Sequence, residues 1–430
     1  MYIRRVVFED VRGFQTLDFP FERPDGTYAG WNVVTGDNGS GKTAFLKGIA
    51  LALVGPETAR ILQPELNGWV RQSAKHGTIA VQLVAGPQDR FASGRRYDKP
   101  FWSEVQLSRT SEGTVSLKPG QKYLRGKKGP TRGPWLEWPD GWFCVGYGPF
   151  RRLYGHSPEA QRIMSTRGKV SRFATLFRED ATLAEGDLWL RDLRHRELEA
   201  RPAAKETLNI VLQLLNHQFL QHGISVERVD SEGMWLRQPD GVILSLESMS
   251  DGFRAAIAMV VDIVRQLMEV HGTQGFDLSN SSEPVVAHSG LVLIDEVDAH
   301  LHPSWQRNFG DWFKRVLPKM QFIVTSHSPL ICQAASERGL FHLPAPGSGQ
   351  PPFQLSEADY EQVITGRPNE IYLSPAFGLA HTRSPRAVKA REEYARLQAK
   401  KRAVSLTSEE AMREKQLSLF AKAEVESEAP

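Results

Sequence analysis

The chain has 430 residues, 40% of them hydrophobic and 24% charged, and carries a net charge of +3 at pH 7. That length exceeds one simple core and favours two lobes, or one lobe with a large insertion. The profile is that of an ordinary soluble globular protein, no apolar run approaches the roughly 20 residues needed to cross a bilayer, and the charge alone establishes no nucleic-acid partner.

The first residues alternate as a strand, "YIRRVVFEDV", and lack the apolar core of a signal peptide, so the cytoplasm is the expected compartment. A turn at Arg12-Gly13 leads to a second strand, "QTLDFPF", and a Pro/Gly loop leads to a third, "WNVVTG". "GDNGSGKT" (36–43) follows at once and fits G-x-x-x-x-G-K-[ST] between a strand and a helix over 43–55. Gly36, Gly39 and Gly41 let the backbone close round a β-phosphate, with successive N–H groups of the loop, Asp37, Asn38 and Ser40 included, turned inward. Lys42 is placed to bridge β- and γ-phosphates, and the Thr43 hydroxyl to ligate Mg²⁺.

Short strands return from about 78 to 117, and "KPGQKYLRGKKGPTR" (118–132) then brings six basic residues and no acid. Lys122, Arg125, Lys127, Lys128 and Arg132 are therefore expected to contact DNA or RNA phosphates, or an acidic partner. A second segment, 150–173, is also rich in Arg and Lys. "WFCVGYG" (142–148) is expected as a buried strand. The two cysteines, Cys144 and Cys332, both sit in apolar runs and are expected in the core, outside any disulfide or metal site.

Residues from about 156 to 222 carry helical spacing, and a β stretch spans 224–246. "SLESMSDGFRAAIAMVVDI" (245–263) then sets Ser-Asp-Gly ahead of a long apolar helix, where free N–H groups and the positive end of the dipole favour an anion. A Ser/Asn-rich loop (about 272–289) leads to "GLVLIDE" (290–296), whose apolar run suits a central strand buried on both faces. Asp295 is placed for the Mg²⁺ shell, and Glu296 to polarise an attacking water. Two adjacent acids closing an apolar strand are costly without such a task. A helix is expected at 303–317, and "QFIVTSHSP" (321–329) is a further strand that delivers His327 to the γ-phosphate. From about 384 the tail is charged and helical, with no sustained heptad and no internal repeat. Together the motifs imply ATP hydrolysis.

This set resembles the ABC-type ATPases, more narrowly their soluble SMC and RecF-like branch, over most of residues 1–50 and 245–332. The resemblance implies an α/β fold: an ATPase head with a mixed β-sheet core flanked by helices, plus a helical lid insertion and no long coiled coil. It implies an ATPase lobe at 1–150, a mainly helical insertion at 151–240, a second ATPase lobe at 241–345, and a helical, partner-binding extension at 346–430. In that family a signature of form [LM]-S-x-G-x closes over the ATP of a second subunit, and Met249–Phe253 match it. Ser250, Asp251 and Gly252 would then act in trans, in a homodimer holding two ATPs between head-to-tail subunits. "DEVDAHLHP" (295–303) departs from the D-E-P-T form of transport ATPases, and Asp298 would lie in the loop that meets the other subunit.

One departure concerns a Gln that the family usually places after a strand between phosphate loop and signature. "VGYGPFRRL" (145–153) has none, and Gln161 is the nearest. "YGPFRR" itself, and "EIYLSPAFGLAHTRSP" (370–385), resemble ATPases of the Septu and retron-associated anti-phage systems, which generally work with a separate nuclease, often of the HNH class. The implied protein is an ATP- and Mg²⁺-dependent regulator of such a nuclease. Alternatives are a RecF-like repair ATPase acting on DNA without an effector, a low-turnover ATP-dependent scaffold and, last, a transporter motor. After residue 332 there is no Asp-x-Asp, which argues against a Toprim-type nuclease site in the same chain.

Overall fold

The computed structural model describes residues 1–92, 99–153, 157–165, 168–277 and 284–422. The chain forms two compact units, Met1–Phe377 and Gly378–Pro430. The first opens with β1 (Tyr2–Val11), β2 (Phe14–Pro20), β3 (Gly30–Gly36) and α1 (Lys42–Leu62). Next come β4 (His76–Val84), β5 (Phe101–Arg109), β6 (Val115–Pro119) and β7 (Cys144–Tyr147). Four helices follow, α2 (Pro158–Ser165), α3 (Lys169–Phe177), α4 (Ala184–Leu198) and α5 (Pro202–Asn216). A meander of β8 (Ser225–Asp230), β9 (Gly233–Arg237) and β10 (Ile243–Ser245) leads to α6 (Asp251–His271) and a ribbon, β11 (Phe276–Asp277) with β12 (Val285–Val286). The unit ends with β13 (Gly290–Ile294), α7 (Pro303–Val316), β14 (Met320–Thr325), α8 (Pro329–Cys332), β15 (Leu340–Leu343), β16 (Phe353–Gln354), α9 (Glu357–Thr365) and α10 (Pro368–Leu373).

Six strands make the central sheet, in the order β16-β15-β3-β14-β13-β7. Five run parallel and β16 pairs antiparallel at the edge, so the sheet is mixed. Alternate residues of each strand enter opposite cores. Trp31, Val33, Val292, Ile294, Phe322 and Val324 face one, whereas Val34, Leu291, Leu293 and Ile323 face the other. Burial on both faces explains why these strands read as unbroken apolar runs. It also places the carboxyl ends of β3, β14 and β13 along one edge, where open α/β sheets take their ligands.

The second core is shared with an antiparallel sheet, β2-β1-β4-β5-β6, and with α1. Fifteen residues of α1 are buried, which accounts for an apolar run with no polar face. The helix continues past the expected end at 55, with a break at Gly55 (φ +82°) followed by Pro56, which has no N–H to donate. Lys169 Nζ donates to the Val54 carbonyl at that break (3.2 Å) and to those of Pro134 and Trp135 (3.4 and 3.1 Å). Burial lowers the Lys169 ammonium to a pKa of about 8.

The insertion is helical through α5 and then turns into the three-stranded meander, in line with the β-branched and aromatic content of 224–246. The span expected as loop at 272–289 contains the β11–β12 ribbon, while 278–283 lie outside the described residues. Residues 346–377 belong to the first unit, because Val363, Ile371 and Ala376 are buried in its core. The helical extension proper therefore starts at Gly378 rather than 346. It consists of α11 (Pro385–Ala403) and α12 (Ser408–Lys422), whose pairs Glu393–Arg413 and Lys400–Glu410 set an antiparallel hairpin. Among the described residues no helix is long and apolar enough to cross a membrane. Cys144 and Cys332 are both buried and free.

Candidate nucleotide site

The loop that leaves β3 turns sharply at Gly36 (φ +147°). A Cβ there would lie 2.4 Å from the Leu343 carbonyl oxygen and 2.6 Å from Ser40 Oγ, so the turn requires glycine. Asp37, Asn38 and Gly39 are exposed, and Ser40 is buried with its hydroxyl unpartnered. The helix begins after Gly41 with no side-chain cap and no acid in its first turn. Its free amides and dipole are thus left available to an anion. Lys42 Nζ folds over the loop and donates to the carbonyls of Gly36 (2.8 Å) and Asp37 (2.9 Å). Burial lowers its pKa, against the opposing pull of Asp295, Glu296, Asp37 and Asp298. Beside the loop, Arg12, Phe14, Gln15, Arg71 and Pro346 line a hollow of about 650 Å³.

The paired acids reach this loop through two hydroxyls. Thr43 Oγ1 donates to Asp295 Oδ2 (2.6 Å), and Thr325 Oγ1 donates to Asp295 Oδ1 (2.6 Å). The Glu296 amide in turn donates to Thr325 Oγ1 at 2.7 Å. Asp295 is fully buried, whereas Glu296 is half-buried and holds a left-handed backbone (φ +44°) just where the chain turns off β13. Arg151, from the segment after β7, grips the same turn from below: Nη1 donates to the carbonyls of Gly148 (2.9 Å) and Asp295 (2.8 Å), and Nη2 to that of Glu296 (3.0 Å).

His327 follows β14, half-buried, with Nε2 lacking a partner. Gln306 of α7 ties its neighbourhood to the loop of Asp298. The amide donates to the Leu301 carbonyl (2.7 Å) and accepts from Ser328 Oγ (2.6 Å). Asp298 Oδ1 is buried without a hydrogen bond.

The residues present fit a nucleotide-bound Mg²⁺. The Thr43 hydroxyl and the Asp295 carboxylate converge, with Ser40 Oγ and Asp298 Oδ1 still uncommitted. Among the described residues no group of three or more His, Cys, Asp or Glu could hold a metal by itself.

Ser250 stands at the N-terminus of α6 in extended conformation, exposed, and its hydroxyl makes no capping bond. Asp251 pairs with Arg254. Gly252 is buried against the Asp298 loop: a Cβ would lie 1.9 Å from the His300 carbonyl oxygen. The structure therefore gathers the expected residues into two groups. Residues 36–43, Asp295, Glu296 and His327 sit along the sheet edge, and 250–252 sit on residues 298–300. Among the described residues no hydrogen bond joins 250–252 to 36–43.

Arg151, Thr325 and Gln306 went unforeseen. Gln161, the nearest Gln in sequence, is exposed on α2, and the segment after β7 delivers Arg151 instead. That segment is also braced from behind: Tyr147 Oη donates to Asp262 Oδ2 of α6 (2.8 Å), and Arg265 donates to the other oxygen of the same carboxylate (2.6 Å).

In the basic loop, Lys122 is already committed, donating to both Glu9 oxygens (2.6 and 2.7 Å). The amides of Tyr123 and Leu124 are held by Glu104 (2.8 Å each). Arg125, Lys127, Lys128 and Arg132 are exposed and without an ion pair among the described residues.

Residues 136–333 match the AAA_21 family (AAA domain, putative AbiEii toxin, Type IV TA system), and residues 5–120 match AAA_23 (AAA domain). The chain is 25% identical over 368 residues to Septu protein PtuA of Bacillus mycoides (strain KBAB4), covering 85% of this chain and 42% of the relative. It is 33% identical over 149 residues to Septu protein PtuA of Bacillus thuringiensis (34% of this chain, 36% of the relative). With the Retron Ec83 probable ATPase of Escherichia coli it shares 36% identity over 104 residues (24% and 18%). The chain thus spans less than half the length of these curated relatives. A solved SMC head bound to the C-winged helix domain of ScpA overlays with a TM-score of 0.46 at 16% identity, over 83% of this chain and 99% of that one. The resemblance read from the motifs to Septu and retron-associated ATPases is borne out by these matches.

Proposed function

We propose that this chain binds ATP with Mg²⁺, hydrolyses it in a head-to-tail dimer, and through that cycle governs a separate nuclease in anti-phage defence. The observation that carries the reading is the hydrogen-bonded run Thr43–Asp295–Thr325–Glu296, which joins the phosphate loop to the paired acids across 252 residues of sequence. In this reading the loop amides and Lys42 hold the phosphates, and the hollow by Arg12 and Phe14 takes the nucleoside. Thr43 and Asp295 hold Mg²⁺, which supplies neutralising charge on the phosphate oxygens. Glu296 orients water and accepts its proton, and His327 meets the terminal phosphate. Ser250 and Gly252 close on the nucleotide of a partner subunit, with Asp298 beside them.

The similarity to Septu and retron ATPases supports the defence role, and an HNH-type nuclease is the expected effector. The four exposed cations Arg125, Lys127, Lys128 and Arg132 favour contact with nucleic acid or with an acidic face of that effector.

Phosphate release by the purified chain, with Lys42→Ala and chelated Mg²⁺ as controls, tests the chemistry. A rate that ignores both controls overturns it. Co-expression with a candidate HNH-type nuclease tests regulation. Nuclease activity that is the same with the unaltered chain, with Lys42→Ala and with no ATPase at all overturns that part alone.

A further inference from the structure

We infer that Arg151 is the positioning residue for hydrolysis: its guanidinium fixes the peptide that presents Glu296 and makes turnover answer to the helical insertion. This rests on the reading of Glu296 as the water-orienting group.

The guanidinium is buried, with Arg151 only 4% exposed, yet its four acceptors are all main-chain carbonyls, those of Gly148, Asp295, Glu296 and, at 3.5 Å, Val297. Burying a charge is costly, and a turn that needed only closing could be closed by a neutral amide or hydroxyl. A planar fork with five fixed donors does something more specific, since it sets the direction of three consecutive carbonyls at once. The opposite side of the turn is held by Thr325, which accepts from the Glu296 amide at 2.7 Å and whose own carbonyl accepts from the Val297 amide at 3.0 Å. Glu296 is therefore clamped on both sides, its N–H by Thr325 and its C=O by Arg151. Its left-handed backbone, which a residue with a Cβ rarely holds unaided, needs such a clamp. The neighbouring charges of Asp295, Asp298 and Glu296 favour the cation, and although burial lowers its pKa to about 10 it stays charged at neutral pH.

The other end of the segment belongs to the insertion. The carbonyl of Arg152 accepts from the Leu183 amide at 2.7 Å, immediately before α4. A shift of α4 against the sheet thus reaches the Glu296 peptide through one residue and one side chain. In a family that usually offers a Gln from this segment, this chain offers a guanidinium that contacts the turn itself.

The test compares Arg151→Lys, Arg151→Ala and the unaltered chain in steady-state turnover and in nucleotide binding. Arg151→Lys, which can reach only part of the carbonyl set, should lose roughly 10- to 100-fold in kcat, while ATP affinity stays within about twofold. Arg151→Ala should lose more, and millimolar guanidinium should restore part of its rate while leaving Glu296→Gln inactive. Full turnover by Arg151→Lys overturns the proposal, as does an affinity that falls in step with the rate. A folded Arg151→Ala that guanidinium does not rescue overturns it too, and if Arg151→Ala does not fold the Lys variant decides. An unaltered chain that binds ATP but turns it over no faster than Glu296→Gln defeats the hydrolytic reading and this proposal together, so the two failures are told apart.

Discussion

The phosphate loop and the signature are both glycine-containing turns that open long buried helices, yet they are finished to different degrees. At the loop most functional side chains have a partner within the chain, Lys42 on two carbonyls, Thr43 on Asp295 and Asp295 on Thr325, although the buried Ser40 hydroxyl has none. At the signature the Ser250 hydroxyl is exposed and makes no capping bond, although Ser at such a position usually caps its helix. Backbone fit there is nonetheless as tight as at the loop, since Gly252 abuts His300 as closely as Gly36 abuts Leu343. A turn shaped so closely, with an exposed polar group left over, suits the role in trans proposed for it. In the proposed reading, the difference separates an element that works within its own subunit from one that works on another.

The sharpest test of this division is Glu296→Gln, which alters only the self-contained side. Turnover should fall by about 10³-fold or more, while ATP binding persists and the dimer accumulates, readable as a stable larger species in gel filtration. Next in size is the signature. Ser250→Arg should bind ATP normally as a monomer and neither dimerise nor hydrolyse. Mixed in equal amounts with Lys42→Ala, it should recover part of native turnover, at most about a quarter if pairing is random, because one composite site can form in each mixed dimer. A fully active monomeric Ser250→Arg would erase the distinction between the two turns. Gly252→Ala extends the same test through backbone alone: the clash with His300 should abolish the ATP-dependent dimer and spare nucleotide binding.

A smaller effect should come from the Asp298 loop. Gln306→Ala removes the bridge to Ser328, and we expect a rate loss of roughly tenfold with unchanged ATP affinity. Smallest is the response to acid. His271 ends α6 stacked on His288, at 4.3 Å between ring centroids, and burial with the neighbouring His288 and Arg172 lowers its pKa from 6.5 to about 4. The folded chain keeps the ring neutral where the unfolded chain would protonate it, so stability falls as pH drops from 6.5 towards 4 and is unaffected above that window. His271→Phe, which keeps the stack, should flatten that slope in thermal unfolding curves recorded across the same pH range.

Much of the site was legible because its parts are local. "GDNGSGKT" encodes a strand, a turn and a helix start within eight residues, and "GLVLIDE" encodes a buried strand and the acids that end it. The burial of the central strands follows from their apolar runs. Arg151 was hidden for the opposite reason: its acceptors are carbonyls, which any residue supplies, and most lie about 145 positions away. Lys122 read as a free cation because Glu9, its partner, is 113 residues distant and enters by cross-strand placement. The continuation of α1 beyond Gly55 was missed because Gly-Pro ordinarily stops a helix, and the donors that rescue the break, Lys169 on the Val54 carbonyl and the Trp135 indole on the Ala52 carbonyl, come from elsewhere. The Gln expected after β7 is a family habit, and only the fold could reveal what stands there.

The bond from Tyr147 to Asp262 makes α6 a lever. Asp262 lies 12 residues along the helix from Ser250, about 18 Å at the usual rise, and its carboxylate is locked to β7 and to Arg265. Burial and the adjoining carboxylate hold the Tyr147 phenol well above its ordinary pKa, so this pivot remains protonated and does not slip with pH. A push on the signature end would then load that bond, and through it β7. β7 leads directly to Arg151, so in the proposed dimer a load taken at the signature would be carried to the peptide of the same subunit's Glu296.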